Sequence, residues 1–308
     1  MANRKKKFFF CTMLPADPNL PQRPTDFRTL ARMLTLVEND LPGSAELLKG
    51  LKGSAVPVIG ITGPPGAGKS TLVNALINEL AGEDKRIAVL AVDPTSPFNF
   101  GSLLGDRIRM AEQFNKENVY IRSIATRGSL GGLSAKSIEM VDVLRDAGFD
   151  YILVETVGVG QSEVEIAGLA DVTLVVLVPE SGDEIQQIKS GLMEIADIFV
   201  VNKSDREGAD RFAANLQKLV KDYGIPVVKT IADRKTGLRE LAEAVNRHNR
   251  DHHLRREQLL ADKAWKLLQE GVMHRADRDA FRSRMAEAAK KADFNLYRFI
   301  EAELKTFF

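Results

Sequence analysis

One stretch constrains the fold of this chain more than any other. Gly63-Pro64-Pro65-Gly66-Ala67-Gly68-Lys69-Ser70 lies between the apolar run Val58 to Thr62 and an amphipathic segment, Ser70 to Leu80. It fits the pattern G-x-x-x-x-G-K-[ST]. A strand that turns through glycines into a helix aims several backbone N–H groups and the positive helix end at one point, which suits phosphate. Lys69 can reach terminal phosphates, and the Ser70 hydroxyl can ligate Mg²⁺. Gly63, Pro65, Gly66, Ala67, Gly68, Lys69, Ser70 and Thr71 are therefore assigned to a bound nucleotide, with Lys69 also catalytic.

The rest of the pattern extends this strand–loop–helix unit. Val56 to Thr62, Ile87 to Asp93, Tyr151 to Val157, Asp171 to Val178, Asp197 to Asn202 and Ile225 to Thr230 are short β-branched runs. Val119 to Ala125 is a further candidate strand. Several are apolar almost throughout, as parallel strands covered on both faces should be. Helical segments such as Ala135 to Ala147 alternate with them, which predicts a doubly wound, mostly parallel α/β sheet. Phe27, Leu30, Leu34, Val37 and Leu41 form one helical stripe, with Thr25 and Asp26 at the N-cap position and Pro42-Gly43 at the stop. A short helix over Ala45 to Leu51 follows, and the two are expected to pack as an extra layer on the main domain. After Leu238 only helical spacing remains: Leu260, Ala264, Leu267 and Val272, then Phe281, Met285 and Ala289. Such a tail must bury its apolar side, on its own domain or against a second copy. The expected division is an extended arm over 1–24, helices over 25–54, a nucleotide-binding domain over 55–246 and a helical dimerisation segment over 247–308.

Composition narrows the function. Lys plus Arg is 43 and Asp plus Glu is 42, a net charge of +1, which argues against holding nucleic acid by bulk charge. A single cysteine, Cys11, excludes an internal disulfide framework and predicts a reducing, cytoplasmic setting. No apolar run reaches the roughly 20 residues of a membrane-spanning helix. The basic and apolar start, Arg4 to Leu14, is followed by Pro15, Pro18, Pro21 and Pro24 and reads as a disordered arm rather than a secretory signal.

Three more motifs add chemistry. Asn202-Lys203-Ser204-Asp205 follows the run Ile198 to Val201 and has the form N-K-x-D. The Asp205 carboxylate can accept from N1–H and the exocyclic amine of guanine, whereas adenine offers an unprotonated N1. Glu155 ends a buried run and Gly158 follows three places later. Glu155 would hold Mg²⁺ through water, and the Gly158 N–H would sense the γ-phosphate. Asp93 ends a strand near the phosphate loop, so its carboxylate could join the metal shell. Asp106 and Arg109 fall in a loop leading into a helix.

Taken together, Gly60 to Thr71, Val92-Asp93-Pro94-Thr95-Ser96-Pro97, Gly105-Asp106-Arg107-Ile108-Arg109-Met110, Thr126 to Ser134, Glu155 to Glu163 and Val178 to Asp183 resemble the MeaB/ArgK family. These are P-loop GTPases associated with methylmalonyl-CoA mutase and related adenosylcobalamin-dependent acyl-CoA mutases. The resemblance covers about Phe27 to Asn246. It implies a GTP-hydrolysing chaperone that gates cofactor loading and repair on the mutase, with Mg²⁺ and GTP or GDP as ligands. It also implies a homodimer held by C-terminal helices. By the same resemblance Asp93, Asp106 and Glu155 surround Mg²⁺, Arg109 and Gln161 lie in catalytic switch elements, and Pro179 to Lys189 is a further switch. The family carries Ser-Ala at the guanine-contacting loop, where this chain has Thr230-Ile231-Ala232-Asp233. The Ala232 N–H could still donate to guanine O6, but with the supporting hydroxyl gone a modestly weaker guanine affinity is expected.

Three rivals remain. A nickel or cobalt metallochaperone needs Cys and His clusters, and this chain has one Cys and only His248, His252, His253 and His274. His248 and His252, four apart among Arg and Asp, read as a solvated face. A transport-associated kinase would need a phosphoacceptor-recognition element, which is not evident. A signal-recognition-type GTPase would want a methionine-rich domain, and after Leu238 there are only Met273 and Met285.

Overall fold

A computed structural model describes residues 24, 26–82, 84–93, 110–113, 115–125, 135–156, 165–180, 192–248, 260–265, 267–269, 271, 277–291 and 294–307. Seven strands form one sheet: β1 Val58–Thr62, β2 Ile87–Asp93, β3 Val119–Ala125, β4 Tyr151–Glu155, β5 Val172–Leu177, β6 Ile198–Val201 and β7 Val227–Lys229. Their order is β3-β2-β4-β1-β5-β6-β7, and every pairing is parallel. The expected mostly parallel sheet is thus wholly parallel.

The central strands are buried at every residue in β1, β4, β5 and β6, because helices cover both faces. Burying side chains such as Ile59, Leu153, Leu174 and Phe199 contributes about 1.5–3 kcal/mol each. β1 sits between β4 and β5, where the strand order reverses, and such crevices beyond the carboxyl ends of strands are where ligands bind in open sheets.

Helix α1, Phe27–Glu38, begins at Asp26, whose carboxylate accepts from the Thr29 N–H at 2.7 Å. That backbone bond, chiefly, holds the Asp26 carboxyl below its ordinary range. Leu30, Leu34 and Val37 of the expected stripe are buried, joined by Met33 and Leu36. α1 packs on α2, Ser44–Gly50, and on α4, Ala135–Asp146. From edge strand β3, Arg122 donates to Ala31 O at 3.2 Å and Thr35 Oγ1 at 3.1 Å, and it pairs with Glu38. The N-terminal helices are therefore a layer on the sheet domain.

α3, Lys69–Ala81, follows the phosphate loop, while α5, Ala209–Val220, and α6, Leu238–His248, follow β6 and β7. No strand follows Leu238 among the described residues. The chain divides into two compact units, Met1–Arg256 and Glu257–Phe308. In the second, α7, Arg278–Ala289, and α8, Leu296–Phe307, meet through Phe281 and Phe299, ring centroids 5.7 Å apart. Arg284 adds two bonds to the Glu303 carboxylate, at 2.9 and 2.6 Å.

Candidate functional site

The loop after β1 is built as its sequence requires. Gly63 has φ +134°, and a Cβ there would lie 2.1 Å from Val176 O on β5. Gly68 has φ +85°, and a Cβ would lie 2.6 Å from Asn202 Nδ2. Only glycine fits either place, so the loop can lie against the neighbouring strand ends. Lys69 and Ser70 open α3 and are buried. The Lys69 ammonium donates to Gly63 O at 2.7 Å and Pro64 O at 3.0 Å, inside the curl of the loop. A phosphate in that curl would meet the ammonium, the convergent loop amides and the helix end together.

The Ser70 hydroxyl donates to Glu155 Oε1 at 2.6 Å, and both residues are buried. A hydroxyl and a carboxylate side by side at a phosphate site are hard oxygen donors, the kind Mg²⁺ takes. These two residues thus fit the expected ion. Asp93 ends β2, its backbone paired with Ala125, but its side chain lies outside the described residues. Asp106, Arg109, Gly158 and Gln161 also lie outside them, as does 181–189 of the expected switch at Pro179 to Lys189.

Asn202 joins the base-reading loop to the phosphate loop. Its amide donates to Ala67 O at 2.9 Å, and its Oδ1 accepts from Thr230 Oγ1 at 3.1 Å and the Ala232 N–H at 3.2 Å. Lys203, with φ +54°, lays its ammonium on Gly66 O at 2.7 Å. Gly68, Thr71, Asn202, Lys203, Asp205, Arg206, Ala232 and Asp233 line one cavity of about 210 Å³. Asp205 is therefore brought to the same cavity as Thr71 and Ala232. Pro65, in the turn of the loop, is exposed.

Several contributors escaped sequence reading. The hydroxyl expected to be missing from the guanine-contacting loop has a counterpart one residue earlier, in buried Thr230, which bonds Asn202. Arg206 and Asp233 line the cavity, and Arg234 lies 3.5 Å from the Asp205 carboxylate. Adjacency to N-K-x-D was the available signal for Arg206; Arg234 is recognisable only once the two loops meet. Arg206 also pairs with Glu180 and holds its carboxyl below the usual range. His248 does not lie on a solvated face: it is half-buried, with Nε2 3.2 Å from the buried Asp197 carboxylate. His252, His253 and His274 are outside the described residues.

The family model described as methylmalonyl-CoA mutase-associated GTPase MeaB matches residues 30–282. A protein of Pyrococcus abyssi, named as a GTPase, is 48% identical over 259 residues, 80% of this chain and 79% of its own. The mitochondrial methylmalonic aciduria type A homolog of Mus musculus is 47% identical over 147 residues, 48% of this chain and 35% of its own. A crystal structure described as a LAO/AO transport system kinase superposes with a TM-score of 0.65 at 25% identity, covering 91% of this chain and 92% of that one.

Proposed function

Because the chain belongs to the MeaB family of P-loop GTPases, we propose that it is a chaperone of an adenosylcobalamin-dependent acyl-CoA mutase, methylmalonyl-CoA mutase or a relative. It would use GTP hydrolysis to gate cofactor loading and repair. The observation that carries this reading is the family match over 30–282, which spans the cradle of Lys69, Ser70 and Glu155 and the base cavity at Asp205. The mouse relative's name points to the same area of metabolism.

In this reading the loop amides and Lys69 hold the phosphates. Ser70 and Glu155 would hold Mg²⁺, with Asp93 and Asp106 as the further carboxylates assigned to it, and the ion would neutralise charge on the phosphates. Asp205 reads N1–H and the 2-amine of guanine, and Asn202 locks the base loop to the phosphate loop. Gly158 senses the γ-phosphate, and Arg109 and Gln161 belong to elements that respond to nucleotide and client. Hydrolysis then rests on positioning and charge stabilisation rather than on a covalent intermediate.

The protein acts in the cytoplasm as a homodimer, away from membrane and nucleic acid. Among the described residues no helix is long and apolar enough to cross a membrane. Leu260, Trp265, Leu268, Tyr297 and Leu304 of the C-terminal unit are more than half exposed in a single chain, which supports pairing of two copies there.

The test is cofactor transfer. The full-length protein, loaded with GTP, GDP or a non-hydrolysable analogue, is mixed with a purified adenosylcobalamin-dependent mutase and a cofactor donor. Nucleotide-dependent loading supports the reading, and loading indifferent to the protein and its nucleotide sinks it. A transport-associated kinase is the second reading, favoured by the superposition on the LAO/AO structure. It would instead show phosphate from labelled GTP on a solute-binding protein.

A further inference from the structure

The cavity that would receive the base carries two carboxylates, Asp205 and Asp233, within about 210 Å³. Two like charges beside one small cavity repel each other. They also oppose any base that brings an acceptor oxygen, as guanine does at O6. Two basic side chains, Lys203 and Arg206, line the cavity, and a third, Arg234, reaches the Asp205 carboxylate from beside it; each is committed differently. Lys203 lies on Gly66 O, Arg206 pairs with Glu180, and Arg234 reaches the Asp205 carboxylate, Nη2 to Oδ2 at 3.5 Å.

Arg234 is presented from a rigid support. Ile231 and Thr236 exchange both backbone hydrogen bonds, each at 3.1 Å, and close the loop between them. Inside it, Ala232–Arg234 is a single 3₁₀ turn that ends at Lys235 with φ +55°. Thr230 and Ala232 fix the start of the same loop on Asn202. The guanidinium therefore comes from a closed turn whose position is set by the base-reading loop itself.

We propose that Arg234 is a positioning residue for base selection: it holds the Asp205 carboxylate in the orientation that reads the guanine edge and offsets the charge of Asp233. The proposal rests on the reading of Asp205 as the guanine acceptor. A carboxylate has about four lone-pair directions, so one oxygen can face Arg234 while the pair still accepts from N1–H and the 2-amine. Hypoxanthine keeps N1–H and lacks the amine, so the GDP-to-IDP ratio reports how well the second acceptor is placed.

The size of the effect follows from exposure. The Arg234 side chain is 66% exposed and that of Asp205 32%, so the pair is screened. A roughly three- to fivefold change corresponds to about 0.7–1 kcal/mol, the upper end for exposed pairs.

The experiment is equilibrium binding of GDP, IDP and ADP to the full chain and to Arg234→Ala, Arg234→Lys, Asp205→Asn and the Arg234→Ala/Asp205→Asn double variant. Thermal denaturation of each accompanies the binding. Arg234→Ala should weaken GDP three- to fivefold, IDP less and ADP not at all, with melting unchanged. Arg234→Lys should restore most of the loss, and Arg234→Ala should add nothing once Asp205 is Asn. A GDP-to-IDP ratio untouched by Arg234→Ala, while Asp205→Asn collapses it, overturns the role of Arg234 and leaves the guanine reading standing. If Asp205→Asn also leaves base preference intact, the guanine reading itself is wrong and the role of Arg234 falls with it.

Discussion

Asn202 shows how much one side chain can carry in this site. It spends its amide on Ala67 O and its oxygen on Thr230 Oγ1 and the Ala232 N–H, all in buried surroundings. Truncation to alanine takes the partner from two donors and one acceptor at once. Leaving a buried polar group unmatched costs about 1–3 kcal/mol, so Asn202→Ala should lower stability by about that amount. A comparable loss in the nucleotide complex would weaken GDP by roughly five- to a hundredfold, at about 1.4 kcal/mol per tenfold. Thermal denaturation and calorimetry check the two effects, and a variant that melts and binds like the parent would remove Asn202 from the site. The residues of this junction were unequally legible in the sequence. Lys69, Ser70, Asn202 and Asp205 stand in local patterns whose spacing dictates their chemistry. Thr230 and Arg234 act on residues 28 and 29 positions away, and contacts of that range exist only once β6 and β7 are paired.

Elements were legible where a local period sets them and less so at their ends. The stripe Leu30, Leu34 and Val37 predicts α1, and its burial follows. Yet α1 stops at Glu38, before the Pro42-Gly43 signal, with Asp40 already at positive φ. The run Tyr151 to Val157 looks continuous, but β4 ends at Glu155, where its register with β1 runs out opposite Ile61. Edge strand β7 is shorter still, three residues from an expected six, matching the three residues Phe199 to Val201 of β6 with which it pairs. Strand length is thus set by the partner, which a single run of residues does not show. The C-terminal pair illustrates an element held by charge. The Arg284 side-chain hydrogen bond holds the Glu303 carboxyl below its ordinary value of 4.5. A carboxylate depressed in the folded state contributes stability above its unfolded pKa and loses it as the pH falls through the folded value. Association of α7 with α8 should therefore weaken as the pH drops below about 4.5. Helicity and protease protection of 278–307 followed across that window should show the loss, and Glu303→Gln should flatten it. A pH-independent profile in the parent would mean that the aromatic contact alone holds the pair.

At the scale of the whole molecule the question is what sets the rate of hydrolysis. The phosphate loop, Glu155 and the base cavity all lie in the first compact unit. Orienting the attacking water is a separate task. In many small GTPases a glutamine directly after the switch glycine does this. Here Gly158 is followed by Val159, which cannot hydrogen-bond water, and the nearest glutamine is Gln161, beyond Gly160. The isolated protein should therefore turn over slowly even with GTP fully bound. A client that docks on the elements bearing Arg109, Gln161 and Lys189 would supply the missing positioning, and holding water and phosphate in line can recover several orders of magnitude in rate. The gain should appear in the chemical step rather than in affinity. Single-turnover hydrolysis at saturating GTP, with and without a purified adenosylcobalamin-dependent mutase, separates these terms. At least a tenfold increase in the single-turnover rate is expected, with Gln161→Ala and Arg109→Ala each losing part of it. An isolated rate that is already fast and does not change with the mutase would show that water is oriented within the chain, and that the partner alters only which nucleotide is bound.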